Sequence, residues 1–454
     1  MKKLALNNVP DILTELSQTI RNWQPNRQAV ERLEYEITPI DPLIWLSHLR
    51  HGQKVYWSDR ERFTEVAGMG SIIVFQGRDN QQFRADMQRM ESLLRSNDRV
   101  KFFGGMRFSN QKNSDPTWHA FPHYHFHLPA FEIVRENDRY VFACNLYRAP
   151  NQDLSSMRNH YLQFLRGLFP GNGRARPHLK RLGRKDNPQR LQWHEMVRTA
   201  LHSLDGNPLE KVVLARKSEL TFNHELKAEE LLKQLRASNP NSFLFLFRPD
   251  AQNVFFGSTP ERLYRRSGRQ LQTEAVAGTR RRGRTAQEDQ QLKNDLLHCE
   301  KDLREHAYVV RSIERVLRRH SRELQKEAQI GILENARVQH LLLRFNARLK
   351  DEVGDTEILR DLHPTPAVGG VPREQAIEKI LQLEKFDRGW YAGPVGWIGQ
   401  KGAEFAVGIR SALLQGRTIH LFAGAGIVQG SDPELEWREL ENKIANFLKI
   451  LDVQ

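Results

Sequence analysis

Two glutamates and a lysine near the C-terminus share one face of a predicted helix. Ser431, followed three residues later by Glu434, forms a capping box that predicts where the helix begins. Glu436, Glu439 and Lys443 follow at spacings of three and four residues. Neighbouring carboxylates repel each other unless a positive charge lies between them, so a divalent cation would explain the pattern. Taken alone, the stretch favours the simpler interpretation, a solvated helix face with a Glu–Lys pair.

The segment before this helix resembles an anion site. Ile419–Phe422 alternates like a strand, and the chain is predicted to turn through Gly424-Ala425-Gly426. The free N–H groups of a glycine turn can bind an anion. A cation bridging the glutamates to an anionic ligand at this turn would account for both features.

Four other polar residues stand out from their surroundings: Lys211 at the start of a strand, Glu261 after a proline turn, Glu305 in an amphipathic helix, and Arg410 within an apolar strand. Each alone is more often a structural or solvated residue. Together they suit a small acidic substrate held with a divalent cation, and ligands that are all oxygen favour Mg²⁺ over zinc. A lysine of lowered pKa can act as a base, and a buried glutamate can hold a proton for a leaving group.

Strands dominate both halves of the chain, and helices fall between groups of strands. This arrangement argues against a doubly wound parallel sheet. The expected fold class is α+β, with large, mostly antiparallel sheets packed as a sandwich with flanking helices. Ala286–Arg319 is predicted to be one long helix, and Phe405–Leu414 to be one strand that contains Arg410. The core-facing residues of the long helix are expected to be Leu292, Leu296, Leu303 and Val310.

A polar, basic connection over residues 151–188 is the best internal boundary. It separates residues 1–180, an N-terminal part expected to complete the same fold, from a catalytic region over 188–448. Within the first part, His123, His125 and His127 alternate along a strand and so share one face. A metal site is one interpretation of them, and a polar sheet face is the favoured one.

The 454 residues include only two cysteines, Cys144 and Cys299, so no disulfide framework is expected. The N-terminus has no apolar segment of the signal-peptide type, and no apolar run is long enough to span a membrane. We therefore expect a soluble, cytoplasmic protein. The net charge of +14 and the basic clusters Arg174–Lys185 and Arg262–Arg284 keep a nucleic-acid-binding protein as an alternative, although no recognised binding motif accompanies them.

Eight segments together resemble the chorismate-utilising enzymes, which include isochorismate, salicylate, anthranilate and aminodeoxychorismate synthases. The segments are KVVLAR at 211–216, GSTPERL at 257–263, EAVAGT at 274–279, KDLREHAYVV at 301–310, LHPTPAVGG at 362–370, WYAGPVGW at 390–397, IRSA at 409–412 and AGAGIVQGSDPELEWRELENK at 423–443. They follow the order of the family and cover about residues 190–445. The resemblance implies the fold of anthranilate synthase component I.

The resemblance also implies roles for individual residues. Lys211 matches the base that activates water, and Glu261 matches the acid that protonates the departing C4 hydroxyl of chorismate. Glu305 and Glu439 match the Mg²⁺ ligands, and the cation would bind the ring carboxylate. The residues implied to lie beside the metal or the substrate are Asp302, Glu436, Ala277, Gly278, Thr279, His363, Tyr391, Arg410, Gly424, Gly426 and Lys443.

Within the family, the residue at 277 distinguishes between activities. Aminodeoxychorismate synthases typically carry a nucleophilic lysine where this chain has Ala277, and anthranilate synthases a PIAGT-like run where it has EAVAGT. The chain therefore resembles isochorismate synthases, most closely those of the menaquinone pathway, in segments that include WSDRERF and FFGGMRF. A monomer without a glutaminase subunit is implied. The alternatives are a siderophore-pathway isochorismate synthase, a salicylate synthase and an anthranilate synthase large subunit.

Overall fold

The computed structural model describes residues 9–25, 29–49, 52–110, 115–168, 179–206, 208–334 and 338–452. The strands over these ranges are β1 Glu31–Glu36, β2 Lys54–Ser58, β3 Thr64–Met69, β4 Ile73–Gly77, β5 Lys101–Met106, β6 Tyr124–Leu128, β7 Phe131–Glu136, β8 Arg139–Leu146, β9 Arg181–Asn187, β10 Lys211–Phe222, β11 Phe243–Arg248, β12 Asn253–Thr259, β13 Arg262–Ser267, β14 Gln270–Arg281, β15 Ser321–Lys326, β16 Gly331–Glu334, β17 Val338–Leu349, β18 Gly370–Val371, β19 Pro394–Gly399, β20 Gly402–Val407, β21 Ser411–Gln415 and β22 Thr418–Ile427. The helices are α1 Val9–Asn22, α2 Pro42–His48, α3 Asn80–Leu94, α4 Leu154–Leu165, α5 Arg190–Leu204, α6 Ala228–Ser238, α7 Ala286–His298, α8 Glu300–His320, α9 Asp355–Leu362, α10 Arg373–Leu383 and α11 Pro433–Asp452.

The strands assemble into two antiparallel sheets, which confirms the predicted fold class. Over the described residues the larger sheet has twelve strands in the order β1-β8-β7-β3-β2-β11-β12-β21-β22-β10-β18, with β9 also paired to β10. The smaller sheet has ten, in the order β15-β17-β14-β13-β20-β19-β5-β6-β4, with β16 also paired to β17. Central strands such as β11 are apolar on both faces and buried on both, as expected when other layers cover each face.

Strands from both ends of the chain contribute to each sheet. β1, β2, β3, β7 and β8 join the larger sheet, and β4, β5 and β6 join the smaller one. The N-terminal residues therefore share two continuous hydrogen-bonded sheets with the residues that carry the family motifs. Within the predicted connection over 151–188, residues 169–178 lie outside the described residues, and so does part of the basic cluster Arg174–Lys185. Residues 1–8, the first half of the 16-residue stretch on which the signal-peptide interpretation depended, also lie outside them.

Aromatic side chains fill the space between the two sheets. Trp390 lies 5.6 Å from the ring of Phe247 in the larger sheet, centroid to centroid. On its other side it packs so closely on Gly105 of the smaller sheet that a Cβ there would come within 2.7 Å of the indole. Phe121 and Trp118 pack edge-on against Phe255 of the larger sheet. Offset and edge-to-face contacts of this kind add to the stabilisation that burial itself provides.

The chain crosses from one sheet to the other at two short connections that matter for function. Pro260 and Glu261 link β12 of the larger sheet to β13 of the smaller one. Gly408, Ile409 and Arg410 link β20 of the smaller sheet to β21 of the larger one. Residues in such crossovers do not take part in the regular hydrogen bonding of a strand, so their side chains can face the gap between the sheets.

The long helix predicted for Ala286–Arg319 is wrong, because the chain forms two helices, α7 and α8, that break at Cys299. Cys299 has an extended conformation, with φ −74° and ψ 111°, which resets the helical phase. Of the four predicted core-facing residues, Leu296 is buried, whereas Leu292, Leu303 and Val310 are only partly buried. The buried face of α8 consists of Asp302, His306, Val309, Ile313, Leu317 and His320.

Two further predictions near the C-terminus are wrong. Phe405–Leu414 is not one strand, since it bends between β20 and β21 at Arg410, whose φ is +49°. The helix α11 begins at Pro433 rather than at Ser431. The backbone N–H groups of Glu434 and Leu435 donate to Asp432 Oδ1 at 3.0 and 2.9 Å, so an aspartate caps this helix instead of the predicted serine.

The three N-terminal histidines lie at or on β6, and they are buried rather than placed on a polar face. His123 Nε2 lies 3.0 Å from Asn80 Oδ1, and His125 Nδ1 lies 3.1 Å from Gln76 Oε1. Burial lowers the pKa of His125 to about 4, so it is neutral near pH 7. Among the described residues, no three His, Cys, Asp or Glu side chains are placed to bind a metal by themselves.

No described helix is both long enough and apolar enough to cross a membrane.

Candidate active site

One cavity of about 320 Å³ brings most of the predicted site residues together. It opens where the chain crosses between the sheets, and α8 and α11 supply part of its wall. The predicted residues in its lining are Glu261, Ala277, Gly278, Thr279, Asp302, Glu305, Tyr391, Arg410, Gly424, Gly426, Glu436, Glu439 and Lys443. A cavity of this volume fits a small molecule.

Glu261 is held in the β12–β13 crossover with its backbone fixed on both sides. Its carbonyl accepts from the Val407 N–H at 3.0 Å, and its own N–H donates to Thr259 Oγ1 at 3.4 Å. The side chain is buried, and this burial, together with the negative charge of Glu274, raises its pKa to about 8. The charges of Lys211 and Lys443 oppose the shift without cancelling it. Glu261 is therefore a carboxyl group that keeps its proton at neutral pH.

Lys211 begins β10 and lies directly behind the cavity wall. Its side chain is fully buried, and its Nζ donates to Glu305 Oε1 at 2.7 Å. The neighbouring strand makes room for it at Gly426, where a Cβ would come within 3.0 Å of Lys211 Cε and 2.9 Å of Glu305 Oε1. Any side chain at 426 would therefore displace the lysine or its carboxylate partner.

The predicted glycine turn at Gly424–Gly426 is wrong, because both glycines lie within β22. They pair with Ala215 and Val213 of β10. The missing side chains allow neighbouring groups to approach the strand closely, and no turn is formed. The pairing of β22 with β21 ends at Leu421, so this part of β22 has a described strand on one side only. The backbone N–H and C=O groups on its other edge can therefore bind a ligand in the cavity.

Four carboxylates in the lining each lie near a cationic side chain. Asp302 and Glu305 come from α8, and their partners are Arg280 at 2.7 Å and Lys211. Glu436 and Glu439 come from α11, as the helical spacing predicted. Their partners are Lys301 at 3.6 Å and Lys443, which forms a close ion pair.

The two α11 carboxylates have opposite pKa shifts. Burial and the charge of Glu439 raise the pKa of Glu436. Burial also tends to raise the pKa of Glu439, but the charge and hydrogen bond of Lys443, with the charge of Arg410, lower it overall. Glu439 is thus the residue of this pair that is better suited to remain ionised.

Arg410 and Tyr391 line the cavity from segments outside the strands. Arg410 Nη1 donates to the carbonyl of Lys443 at 2.9 Å, which ties the β20–β21 crossover to α11. The ring of Tyr391 stacks on Phe422 with centroids 5.2 Å apart. Its hydroxyl lies so near Gly424 that a Cβ at 424 would come within 3.1 Å of it.

Ala277, Gly278 and Thr279 lie at an irregularity of β14. The register with β17 shifts between Ala277 and Arg280, and Gly278 has φ +69°, a conformation that favours glycine. A Cβ at Gly278 would also lie 3.2 Å from that of Asp302. This bulge lies within five consecutive lining residues, 276–280, where a regular strand would point alternate side chains away from the cavity.

The structure does not place His363 in the cavity lining. Its Nε2 lies 3.1 Å from the Phe108 carbonyl, and its ring packs edge-on against Phe108. The histidine of the lining is His340, on β17, which the sequence reasoning missed. Its Nδ1 donates to the Gly278 carbonyl at 3.0 Å, and burial lowers its pKa to about 4. The available signal was a histidine at the head of the apolar run Leu341–Leu343.

Comparison with known proteins agrees with this geometry. Residues 15–452 match a family described as "Chorismate binding enzyme". The chain belongs to the chorismate-binding enzymes. The match spans the N-terminal strands as well as the motif-bearing residues, so the family architecture includes both.

Individual relatives of this chorismate-binding enzyme are similar over nearly its whole length. "Isochorismate synthase MenF" of Haemophilus influenzae is 38% identical, covering 99% of this chain and 98% of the relative. "Salicylate biosynthesis isochorismate synthase" of Pseudomonas aeruginosa is 35% identical, covering 94% and 91%. The solved structure of MenF, described as the menaquinone-specific isochorismate synthase from Escherichia coli, superposes with a TM-score of 0.87 at 28% identity, covering 98% of this chain and 99% of that one.

Proposed function

We propose that this chorismate-binding enzyme is an isochorismate synthase, which adds water at C2 of chorismate as the C4 hydroxyl leaves. The observation that carries the proposal is a carboxyl group in the cavity lining that is protonated at neutral pH, with a buried amine directly behind the wall of the same cavity. These are Glu261 and Lys211. The relatives from H. influenzae and E. coli, both named isochorismate synthases, support the same activity.

The two groups have complementary proton-transfer roles. To act as the base, Lys211 must first lose the proton that pairs it with Glu305, and it then accepts a proton from the attacking water as the new C2–O bond forms. The ring double bonds shift, and Glu261 gives its proton to the C4 oxygen as that bond breaks. In the reverse direction the ionised Glu261 accepts a proton and Lys211 donates one, so the same pair catalyses both directions.

Ala277 determines which nucleophile is available. It lies in the lining with a small apolar side chain, and the bulge around Gly278 brings it to the cavity wall. A methyl group cannot attack the ring, whereas an amine at this position could. An amine supplied by the enzyme is therefore excluded, which leaves water or ammonia, and the EAVAGT run, which resembles isochorismate synthases, favours water.

The cavity residues fit a bound Mg²⁺ ion. With Glu261 protonated, the lining holds four carboxylates and four cations, Arg280, Lys301, Arg410 and Lys443. Chorismate would add two carboxylates, and a divalent cation would balance them. Mg²⁺ is typically bound by one or two protein carboxylates together with water and substrate oxygens. Glu305 and Glu439 would hold it, with Asp302 and Glu436 beside them, and the bound ion would neutralise a substrate carboxylate.

The test of the proposed function is chromatography of the products formed from chorismate and Mg²⁺ without ammonia. We expect an equilibrating mixture of chorismate and isochorismate. Formation of salicylate and pyruvate would instead identify a salicylate synthase. Conversion only after ammonia is added, to a fluorescent anthranilate product, would contradict water as the nucleophile. Lack of any conversion would contradict the proposal as a whole.

Replacing Glu439 by glutamine is expected to weaken binding of Mg²⁺ and of chorismate together, each by about tenfold or more. The charge that would hold the cation is lost while the shape of the side chain is kept. Isothermal titration calorimetry with Mg²⁺ alone measures the affinity for the cation, and the KM for chorismate at fixed Mg²⁺ reports the affinity for the substrate, because the two ligands together are turned over.

The matched control for this prediction is Glu434→Gln on the same helix. Glu434 lies outside the cavity lining and pairs with Arg190 at 2.6 Å. Both affinities should be unchanged in this variant. Loss of only one of the two affinities in Glu439→Gln would show that Glu439 does not link the cation to the substrate.

We further propose that the enzyme is a cytoplasmic monomer that acts in menaquinone biosynthesis. The E. coli protein of similar structure is described as menaquinone-specific, and the relative from H. influenzae shares 38% identity over 99% of the chain. The P. aeruginosa relative, named for salicylate biosynthesis, makes salicylate biosynthesis the alternative pathway.

A further inference from the structure

We propose that a buried Arg60–Glu274 pair is a positioning device for Glu261, holding its backbone in the crossover and placing a charged pair beside it. This inference rests on the proposed function, because it assigns a role around the acid of that reaction. Arg60 belongs to the N-terminal WSDRERF segment, between β2 and β3. Glu274 lies on β14, three residues before Ala277.

Arg60 and Glu274 form a buried, bidentate ion pair. Arg60 Nη1 donates to Glu274 Oε1 at 2.6 Å, and Arg60 Nη2 donates to Glu274 Oε2 at 3.0 Å. Arg60 is 8% exposed and Glu274 is 5% exposed. A guanidinium and a carboxylate in this planar arrangement define both distance and orientation. Neither residue lines the cavity, so both would act through Glu261 rather than on the substrate.

The same two side chains hold the peptide groups on either side of Glu261. Arg60 Nη1 also donates to the carbonyl of Pro260 at 3.1 Å. Glu274 Oε1 accepts from the backbone N–H of Arg262 at 3.3 Å. The residue before the acid and the residue after it are therefore attached to one ion pair. An N-terminal loop thus fixes a residue in the crossover between the sheets.

The pair also controls the charge that Glu261 experiences. The groups that face Glu261 and act on it are Glu274 from β14, Lys211 from β10, Lys443 from α11 and Tyr391, which precedes β19. Of these, Glu274 is the one whose charge raises the pKa of Glu261. Arg60, in direct contact with Glu274, limits how much of that negative charge Glu261 experiences.

Opposite effects of the two partners follow from this arrangement. Glu274→Gln removes the negative charge and leaves a cation, so Glu261 should lose its proton at lower pH. In a plot of kcat against pH, the fall in kcat at high pH, which is the alkaline limb, should then occur at a pH that is lower by roughly one unit. Arg60→Gln leaves Glu274 without its direct ion-pair partner, and the limb should move up by a similar amount. A merely structural role would lower kcat in both variants without moving the limb in opposite directions.

Matched and backup variants keep the test decisive. The matched control is Glu229→Gln, which breaks another buried ion pair, to Lys54 at 2.7 Å. Neither Glu229 nor Lys54 lines the cavity, so this variant should leave the alkaline limb at its original pH. If the single variants fail to fold, the double variant Arg60→Met/Glu274→Leu leaves no unpaired charge. It should fold and show a kcat at least about tenfold lower with KM nearly unchanged. A kcat within twofold of the original would overturn the proposal.

The decisive experiment measures kcat against pH for the original enzyme and the two single variants, together with carbon NMR of glutamate labelled at the carboxyl carbon. Glu261→Gln identifies the Glu261 signal. Opposite shifts of the limb and of the Glu261 titration support the pair. Shifts in one direction, or none, overturn it. If the original enzyme does not convert chorismate, the proposed function fails, and the NMR titration alone still tests the influence of the pair on Glu261.

Discussion

Replacing Glu261 by glutamine is expected to lower kcat by about 10³-fold with little change in KM, which is the size of effect expected when a general acid is removed. Glutamine keeps the shape of the side chain but has no proton of suitable acidity for the leaving oxygen. The pKa of about 8 adds a second expectation. Isomerisation of chorismate should decline above about pH 8 in the original enzyme, because Glu261 then loses its proton. This alkaline limb should disappear in the variant.

Steady-state kinetics over pH 6 to 10 measure both effects. Glu404→Gln is the control, because Glu404 is another buried carboxyl whose pKa is raised by burial, to about 7, but it lies outside the cavity. That variant should keep the limb near pH 8. A Glu261→Gln enzyme with an unchanged limb and unchanged kcat would show that another group protonates the leaving hydroxyl.

Replacing Lys211 by alanine is expected to reduce kcat by about 10³-fold or more while leaving Mg²⁺ binding measurable, because the base that activates water is lost. Lys211 is fully buried and makes an ion pair with Glu305, so its removal opens a pocket behind the cavity wall. Small primary amines added to the solution should enter that pocket and restore part of the activity. Kinetics with and without added methylamine, and calorimetry with Mg²⁺, provide the measurements.

Lys211→Arg separates the role of a base from that of a charge. Arginine keeps the positive partner of Glu305 but does not release its proton in proteins. This variant should therefore be as inactive as the alanine variant and should not respond to added amines. Substantial turnover by Lys211→Arg, or normal turnover by Lys211→Ala, would contradict the assignment of Lys211 as the base.

Much of the fold and of the site could be predicted because the relevant signals are local. Alternation and apolar runs indicated strands such as β10 and β11, and helical spacing placed Glu436, Glu439 and Lys443 on one face. Predictions failed where a single backbone conformation decided the result. Cys299 divides a continuous helical pattern into α7 and α8, and neither its residue type nor its neighbours signal that break.

The family and most of the predicted residues at the cavity could be inferred from the sequence, because the motifs are short, contiguous and specific in residue type. The folded chain was needed to show that Gly424 and Gly426 lie within a strand, where they make room for Tyr391 and Lys211. It was also needed to show that His340, and not His363, belongs to the cavity lining. These features depend on close packing and ion pairing between groups that are distant in sequence.

The protonation of Glu261 is the clearest case of a property that the tertiary structure alone decided. A glutamate in a GSTPERL segment has an ordinary pKa until burial removes its water and Glu274, thirteen residues later, comes close. The Arg60 contact brings in a residue two hundred positions away from Pro260. The sequence specifies which ionisable groups are present. Their burial and their neighbours where the two sheets pack together set their protonation and hence their chemistry.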